Sequence, residues 1–250
     1  MTQDRLNILG VGVSITNMQE TLLTIKSWLK SETSQYVCCT GMHGIISSEK
    51  NPSLKQVYNK SGLTVPDGRP LFWIGRSSGF KKMGHVPGQD LMLKVCELSN
   101  TENYTHFFYG GAEGVANELK ARLTEIYPNL RVVGTYTPPF RPLNSAEEAD
   151  LIKRVQETKP DIFWVGISTP KQDQFMFDYI SKLDTKIMFG VGAAFDVHAG
   201  RVPPVPQYIR WSGFEWLYRF MLEPKRLWRR TIQDIPTFIF KIFLNKLRLI

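Results

Sequence analysis

Short apolar runs rich in β-branched and aromatic residues alternate, over residues 1–200, with longer segments in which apolar residues recur every three or four positions. The short runs have the length of strands, and the longer segments have the periodicity of amphipathic helices. Repeated strand–helix units of this kind build a largely parallel sheet with helices on its faces. We therefore predict an α/β fold with a Rossmann-like sheet.

The pattern places seven strands and four helices along this region. The predicted strands are Asn7–Val13, Tyr36–Thr40, Leu63–Val65, Thr105–Tyr109, Arg131–Tyr136, Asp161–Ile167 and Lys186–Val191. The predicted helices are Met18–Lys30, Ala112–Ile126, Ser145–Glu157 and Lys171–Leu183.

Residues 201–250 differ from the rest of the chain in charge. They hold ten Lys or Arg residues and three acidic residues, which accounts for seven units of the formal net charge of +8. Because the Pro-rich segment Val202–Pro206 interrupts the strand–helix pattern, we predict an α/β catalytic domain at residues 1–200 and a basic helical appendage at residues 201–250. The appendage is predicted to form helices at Phe214–Leu222, Pro224–Ile232 and Pro236–Ile250.

Composition limits the classes of protein to which the chain can belong. With 250 residues, of which 42% are hydrophobic and 22% charged, the chain can bury a full core, so we expect an ordered protein. The three cysteines have neither the spacing of a disulfide framework nor that of a metal site. His85, His106 and His198 do not have the spacing of zinc ligands either. We expect no metal and no cofactor. No apolar run approaches the roughly 18 residues needed to span a bilayer, so any membrane contact should be peripheral.

Two glycine-containing turns follow predicted strands, at the edge where open α/β sheets bind ligands. Gly110 and Gly111 lie between a strand and a helix, where backbone amides can approach a phosphate closely. Gly190 and Gly192 follow the last strand in the same way, with Asp196 just beyond them. A purely structural turn is an equal alternative at both places.

Asp67 directly follows a predicted strand, in the tripeptide Pro66–Gly68. A carboxylate at a strand's carboxyl end can act as a general base towards a substrate hydroxyl. Pro-Asp-Gly is also ordinary β-turn chemistry, so a turn without catalytic function is the competing interpretation.

Other polar residues are predicted at the same edge. His43 follows the strand that ends at Thr40 and could donate to a phosphate or orient a hydroxyl. Thr169, Lys171 and Gln172 stand at the start of a predicted helix, which would direct them towards a ligand. A locally hydrogen-bonded histidine and a solvated first helical turn are the alternatives.

The last predicted helix, Pro236–Ile250, mixes large apolar residues with cations. Such a helix can lie in the headgroup plane of an anionic membrane, or it can cover the core or form an oligomer contact instead. Arg226, Arg229 and Arg230, in the preceding predicted helix, suit a diphosphate because guanidinium groups match its oxygens with two parallel hydrogen bonds.

Several of these motifs, in this order, resemble the WecG/TagA/CpsF glycosyltransferases over about residues 6–235. The segments that carry the resemblance are Asn7–Val11, Thr40–Gly44, Pro66–Leu71, Gly88–Met92, Phe108–Gly111, Ser168–Gln172, Gly190–Asp196, Gly213–Arg219 and Glu223–Arg230.

The resemblance implies transfer of a sugar from a UDP-sugar to a polyprenyl-diphosphate-linked saccharide, in surface polysaccharide synthesis at the cytoplasmic face of the cell membrane. It implies inversion at the anomeric carbon without a metal ion. The family's base falls on Asp67, and its active-site Thr and Gln fall on Thr40 and Gln172. In the family, arginines of the C-terminal appendage are thought to complete the site over the diphosphate. The candidates for this role here are Arg219, Arg226, Arg229 and Arg230. The chain departs from many members by having Met42 and His43 after Thr40 and Gly41, as in a T-G-x-H-G subgroup, so acceptor contact or sugar choice can differ.

Other functions compete with this one. A non-catalytic, membrane-associated protein that senses sugar nucleotides would share the pocket. A nucleic-acid-binding protein would fit the isoelectric point near 9.4, but confinement of the charge to an amphipathic segment argues against nucleic acid. A Rossmann oxidoreductase needs the complete dinucleotide fingerprint, which is absent. The sequence does not determine the donor sugar or the oligomeric state, and a homo-oligomer is one of the possibilities that it leaves open.

Overall fold

A six-stranded parallel sheet forms the centre of the protein. The computed structural model describes residues 4–246, apart from the side chains of Trp211, Arg226, Arg229, Arg230 and Lys246. In chain order the strands are β1 (Arg5–Ile8), β2 (Val11–Ser14), β3 (Gln35–Thr40), β4 (Leu63–Pro66), β5 (Thr105–Gly110), β6 (Arg131–Tyr136), β7 (Ile162–Gly166) and β8 (Ile187–Gly190). The central sheet has the order β4-β3-β8-β7-β5-β6, and all its neighbouring strands are parallel. The predicted Rossmann-like α/β fold is confirmed.

The single strand predicted at Asn7–Val13 is wrong, because the chain reverses within it. β1 and β2 form an antiparallel hairpin in which Ile8 pairs with Val11. Leu9 and Gly10 make the turn, with φ angles of 51° and 86°. Leucine rarely adopts a positive φ. The usual sequence signal for such a hairpin is Asn-Gly or Asp-Gly at the turn, and this turn has Leu-Gly instead. The other six predicted strands are confirmed to within one residue at each end.

Nine helices of the described chain precede residue 200. They are α1 (Met18–Leu29), α2 (Met42–Lys50), α3 (Pro52–Lys60), α4 (Arg69–Ser77), α5 (Gly88–Glu102), α6 (Val115–Ile126), α7 (Ser145–Thr158), α8 (Lys171–Tyr179) and α9 (Ala194–His198). The four predicted helices correspond to α1, α6, α7 and α8. The helices α2 to α5 and α9 were not predicted. In α2, Gly44 and two serines weaken the helical propensity, and burial of Ile45 and Ile46 stabilises the helix instead.

Side-chain caps determine where two of the predicted helices begin. The Asn17 side chain accepts a hydrogen bond from the backbone amide of Glu20 at the start of α1. At the start of α7, Asn144 and Glu147 form a reciprocal capping box. Each cap satisfies amides that have no partner within the helix.

The sheet is buried on both faces, which explains the continuous apolar strands. In β7, the residues Ile162–Val165 are all buried. One core contains α1, α5, α6 and α9, and the other contains the hairpin, α2, α3, α7 and α8. Because the strands of this sheet are all parallel, their carboxyl ends lie at one edge, where loops and helix N-termini meet.

The appendage packs against the second core. Its elements are α10 (Gln207–Ser212), α11 (Glu215–Leu222), α12 (Pro224–Arg229), a π-helical turn (Arg230–Asp234) and α13 (Ile235–Lys246). Phe238 is 2% exposed and lies in that core, and Ile242 packs against it. The second predicted helix of the appendage ends earlier than expected, because a π-helical turn follows Arg229. The last four residues of the third predicted helix lie outside the described residues.

The predicted domain boundary near residue 200 stays a prediction. Within residues 4–246, no helix is both long enough and apolar enough to pass through a bilayer.

Candidate active site

A cavity of about 600 Å³ lies between the sheet and the appendage. Its floor is formed by the segments that follow four adjacent strands, β4, β3, β8 and β7, and its roof by residues of α10 to α12 and the π-helical turn. Six predicted site residues line it together, and one of them, Arg219, comes from the appendage. They are His43, Asp67, Thr169, Gln172, Gly192 and Arg219. The sheet edge and the appendage therefore build a single site.

Asp67 is held in a defined orientation at the end of β4. Its Oδ1 accepts a hydrogen bond of 2.5 Å from the backbone amide of Gly88, at the start of α5. The Nε2–H of His85 donates to the Asp67 carbonyl oxygen. Burial raises the pKa of the Asp67 carboxyl and the nearby Glu215 adds to this, whereas the Gly88 amide, His85 and Arg219 lower it. The net pKa lies above the ordinary value, which favours proton acceptance nearer to neutral pH.

Three arginines surround the cavity. Arg219 donates from Nε to Glu215 Oε1 at 2.8 Å, and its Nη2 forms an ion pair with the same oxygen, also at 2.8 Å. Arg210 donates from Nη2 to Asp90 Oδ2 at 2.6 Å, and its own backbone carbonyl accepts from Arg69 Nε at 2.8 Å. The three cations line one cavity from α4, α10 and α11. Such a cluster of guanidinium groups suits a ligand with phosphate oxygens.

His43 joins the floor of the cavity to its roof. Its Nδ1 lies 2.5 Å from Oδ2 of Asp234, at the end of the π-helical turn. Lys50, at the end of α2, approaches the other carboxylate oxygen at 3.8 Å. The two contacts anchor the appendage to α2, beside the cavity.

The carboxamide of Gln172 lies at the edge of the cavity floor. Its Nε2 donates to Thr169 Oγ1 at 3.3 Å, and its buried Oε1 has no hydrogen-bond partner among the described residues. Gly192, with a φ of 52°, is so close that an added Cβ would lie 3.3 Å from Gln172 Oε1. Thr40 is buried beneath the floor, where its Oγ1 would lie 2.2 Å from a Cβ added to Gly44.

Residues 6–250 match the glycosyl transferase WecG/TagA/CpsF family. The chain belongs to this glycosyltransferase family. The match covers both the α/β core and the appendage, the two parts that enclose the cavity.

Members of the WecG/TagA/CpsF family from Staphylococcus aureus resemble the chain over almost its whole length. The N-acetylglucosaminyldiphosphoundecaprenol N-acetyl-beta-D-mannosaminyltransferase of strain MRSA252 is 25% identical over 240 residues, covering 95% of this chain and 92% of the relative. The protein of the same name from strain NCTC 8325 / PS 47 is 24% identical, with the same coverage. The chain is a glycosyltransferase.

The structure does not bring every predicted site residue of this glycosyltransferase into the cavity. Gly110 (φ 132°) and Gly111 (φ 75°) lie in a tight turn, where a Cβ on Gly110 would meet the backbone of Gly166 at 2.6 Å. A Cβ on Gly190 would meet Met176 of α8 at 2.7 Å. These contacts require glycine for close packing of the backbone. The predicted residues outside the cavity lining are Thr40, Gly110, Gly111, Lys171, Gly190 and Asp196.

Arg226 and Arg229 belong to α12, and Arg230 begins the π-helical turn, but their side chains lie outside the described part of the structure. Their predicted contact with a diphosphate stays a prediction.

The sequence reasoning missed several residues of the site. Arg69 and Glu215 lie inside motifs that it recognised, Pro66–Leu71 and Gly213–Arg219, without being assigned a role. Arg210 was counted only as part of the basic region, and Asp234 only as one of its few acids. The scarcity of acidic residues in the basic region is the signal that could have pointed to Asp234.

No group of three His, Cys, Asp or Glu side chains is arranged to hold a metal ion within residues 4–246.

Proposed function

We propose that this glycosyltransferase moves a sugar from a UDP-sugar to a polyprenyl-diphosphate-linked saccharide, with inversion at the anomeric carbon and without a metal ion. The observation that carries the proposal is the placement of Asp67 in the same cavity as Arg69, Arg210 and Arg219. A carboxylate with a raised pKa supplies the base, and the guanidinium groups supply charge for a diphosphate.

The reaction is a single displacement. The acceptor hydroxyl loses its proton to Asp67 while its oxygen forms a bond to the anomeric carbon of the donor. The bond from that carbon to the UDP oxygen breaks in the same step, and UDP leaves with the electron pair. Because Asp67 Oδ1 already accepts from the Gly88 amide, we assign proton acceptance to Oδ2. Attack opposite to the leaving group inverts the anomeric carbon.

The arginines stabilise the charge that develops on the leaving UDP. Arg219 directs Nε and Nη2 towards Glu215, and its other N–H donors can bind phosphate oxygens. Arg210 is oriented by Asp90 and accepts from Arg69 through its carbonyl oxygen, which keeps both side chains at the cavity. Fixed cations at this position perform the charge neutralisation for which other enzymes use a divalent metal.

The names of the relatives support a lipid-linked acceptor. The Staphylococcus aureus proteins are named for transfer of N-acetylmannosamine to N-acetylglucosaminyldiphosphoundecaprenol. A substrate with an undecaprenyl chain is held in a membrane, so an enzyme that uses such an acceptor must work at the membrane surface. We place this one on the cytoplasmic face as a peripheral protein.

The surface of α13 supports membrane contact. Phe238 and Ile242 pack into the core, whereas Ile239, Phe240 and Phe243 face outward, with Phe240 61% exposed. The helix therefore covers the core with one apolar side and exposes a second apolar side to solvent. An outward apolar side beside cations is typical of helices that insert shallowly into anionic membranes.

Large apolar side chains are exposed on α11 and α12 as well. Leu217, Met221 and Trp228 are exposed there, and the exposed Lys225 adds a cation. Since these helices also roof the cavity, membrane contact would bring the cavity close to a lipid-linked diphosphate.

The decisive experiment is a transfer assay. The protein is incubated with a short-chain polyprenyl-diphosphate-N-acetylglucosamine and a panel of UDP-hexoses and UDP-N-acetylhexosamines, UDP-N-acetylmannosamine included, with and without EDTA. We expect mass spectrometry to detect acceptor plus one sugar, unaffected by EDTA, and NMR to show inversion at the anomeric carbon. UDP binding without product from any donor would instead favour the sugar-nucleotide-sensing alternative.

A further inference from the structure

A basic surface segment lies outside the appendage, between the end of β4 and the first turn of α5. Residues 68–89 contain four Lys or Arg residues and no Asp or Glu, although residues 1–200 as a whole are nearly neutral. Three of these cations, Arg76, Lys81 and Lys82, are exposed. None of the three forms an ion pair with a carboxylate among the described side chains. The segment therefore presents positive charge to solvent.

The cations surround an exposed aromatic side chain. Trp73 is 47% exposed and lies three residues before Arg76 on α4, so the two side chains share a face of the helix. Arg76 donates from Nη1 to the carbonyl oxygen of Lys81, and its Cζ lies 5.9 Å from the centre of the Phe72 ring. These contacts hold the loop after α4 against the helix. Trp73, Arg76, Lys81 and Lys82 are together called the α4 patch.

The α4 patch borders the appendage beside the cavity. The indole ring of Trp73 packs on Gly213, where an added Cβ would lie 2.2 Å from Cη2 of the ring. Gly213 lines the cavity, and the next residue, Phe214, is 58% exposed. Exposed aromatic side chains thus flank Gly213 from both the α/β core and the appendage.

The chemistry of the patch matches an anionic lipid surface. Lys and Arg side chains near such a surface are attracted to the headgroups, and tryptophan is enriched at the interface because its ring is apolar and its N–H can stay hydrated. Nucleic acid would attract the same cations. The apolar side chains exposed on the neighbouring α11, Leu217 and Met221, would gain nothing from nucleic acid, whereas a bilayer can bury them.

We propose that the α4 patch is a second membrane-contact site, on the α/β core itself, which binds anionic lipid headgroups and fixes the orientation of the cavity. The proposal rests on the proposed function, which places the enzyme at a membrane, and deepens it by adding a contact outside the basic appendage. The helix α13 is linked to the core at α2, through Lys241 and Glu49. The α4 patch instead follows the strand end that carries Asp67. Contacts at two places prevent the protein from pivoting about one helix, so the cavity stays turned towards a lipid-linked acceptor.

The first test measures binding to vesicles and needs no sugar donor. The full chain is sedimented with vesicles of phosphatidylcholine mixed with phosphatidylglycerol, or of phosphatidylcholine alone. Arg76→Gln, Lys81→Gln and Lys82→Gln together should weaken binding to the mixed vesicles by at least about tenfold, with no comparable loss on phosphatidylcholine. Trp73→Ser should weaken it by at least about threefold. Arg76→Lys, Lys81→Arg and Lys82→Arg together keep the charge and should bind as the wild type does.

A matched variant separates the patch from net charge. Lys30→Gln, Lys120→Gln and Arg131→Gln together remove the same charge from exposed cations next to α1, on α6 and at the start of β6. They should weaken binding by less than about twofold, because charges beyond a Debye length from the membrane are screened. Thermal unfolding checks that each variant is folded. Lys81→Gln with Lys82→Gln, which leaves Arg76 and its contacts in place, should give an intermediate loss.

The second test measures transfer from the active donor to two acceptors. With a water-soluble short-chain acceptor, the triple glutamine variant of the patch should keep the wild-type kcat/KM, because its three residues do not line the cavity. With an undecaprenyl-linked acceptor in the mixed vesicles, kcat/KM should fall by at least about fivefold. This difference is expected only if the patch acts through the membrane.

Three results would overturn the proposal. They are wild-type vesicle binding by the triple glutamine variant of the patch, an equal loss in the matched variant, and a loss of binding to duplex DNA in place of the loss on vesicles, which would assign the patch to nucleic acid. If the wild type transfers no sugar from any donor, the transfer proposal fails, and the vesicle measurement still decides whether the α4 patch contacts a membrane.

Discussion

The Nδ1 atom of His43 lies 2.5 Å from Oδ2 of Asp234, although the two residues are 191 positions apart in the chain. This contact links the first turn of α2, on the floor of the cavity, to the last residue of the π-helical turn in its roof. Lys241 of α13 adds a further link to α2, an ion pair of 2.8 Å with Glu49. These contacts to α2 thus help to close the cavity, together with the contacts of Arg210 to α4 and α5.

Replacing Asp234 with Asn should loosen this closure. Loss of a partly buried charge-assisted contact costs about 1–3 kcal/mol, so we expect KM for the donor to rise several-fold or more while kcat changes less. Limited proteolysis should cut the appendage faster. Glu157→Gln, which breaks an exposed ion pair with Lys153 on α7, is the control and should change neither quantity. Unaltered KM and proteolysis in Asp234→Asn would show that the contact does not hold the roof.

Replacing Asp67 with Asn should remove the base and leave the binding of UDP nearly unchanged. The amide has the shape of the carboxylate but cannot accept the proton, so we expect kcat to fall by at least about a hundredfold. Stopped assays measure kcat, and calorimetry measures the affinity for UDP. A kcat within a few-fold of the wild type would exclude Asp67 as the base.

The pH dependence of activity should reflect the ionisation of the Asp67 carboxyl. Its pKa is raised above the ordinary value by burial and by Glu215, and the base works only when ionised. We therefore expect kcat/KM to fall as pH drops through this raised pKa. Glu215→Gln removes a negative neighbour and should move the acid limb of the profile to lower pH. A limb that stays in place or moves to higher pH would contradict the assignment.

Protein stability should depend on pH through Asp173. Its pKa is about 7 in the folded protein against an ordinary 3.8, so the folded state holds a proton that the unfolded chain has released. The free energy of unfolding should therefore fall as pH rises from about 4 to above 7, by up to roughly 4 kcal/mol from this group. Urea unfolding of Asp173→Asn should show that decline reduced. An equal slope in both proteins would mean that Asp173 does not bury a proton.

Membrane binding should depend on the outward side of α13. Burying a phenylalanine in the interface contributes on the order of 1–2 kcal/mol, so Phe240→Ser with Phe243→Ser should weaken binding to anionic vesicles by at least tenfold in sedimentation assays. Phe140→Ser is the matched control, because Phe140 is 92% exposed but lies outside the appendage, in the loop between β6 and α7. Equal losses in both variants, or no loss in the first, would place the membrane surface elsewhere.

The strands were predictable because parallel strands covered on both faces must be apolar along their whole length, as Ile162–Val165 are. The hairpin was missed because its turn uses Leu9 at a positive φ, which has no sequence signal. The helix α2 was missed because tertiary burial of Ile45 and Ile46, rather than helical propensity, stabilises it. Local patterns report the elements whose stability is local, and miss those that depend on contacts formed later.

The candidate site was predictable in the same partial way. The strand-end rule predicted Asp67, Thr169 and Gln172 at one edge of the sheet, and the three residues line one cavity there. It could not separate them from Gly110 and Gly111, which follow a neighbouring strand of the same sheet, because it identifies an edge and not a position along it.

From the order of its residues alone, the chain specifies a parallel α/β sheet and the concentration of positive charge after residue 200, and it indicates the edge at which such sheets bind ligands. Only tertiary structure decided which strand ends form the cavity, that Arg69 and Arg210 join Arg219 there, and that Asp234 meets His43. The physical reason is the distance along the chain over which the stabilising contacts act. Strand and helix patterns arise from neighbours along the chain, whereas a cavity is formed by packing between segments that the sequence separates by as many as 191 residues.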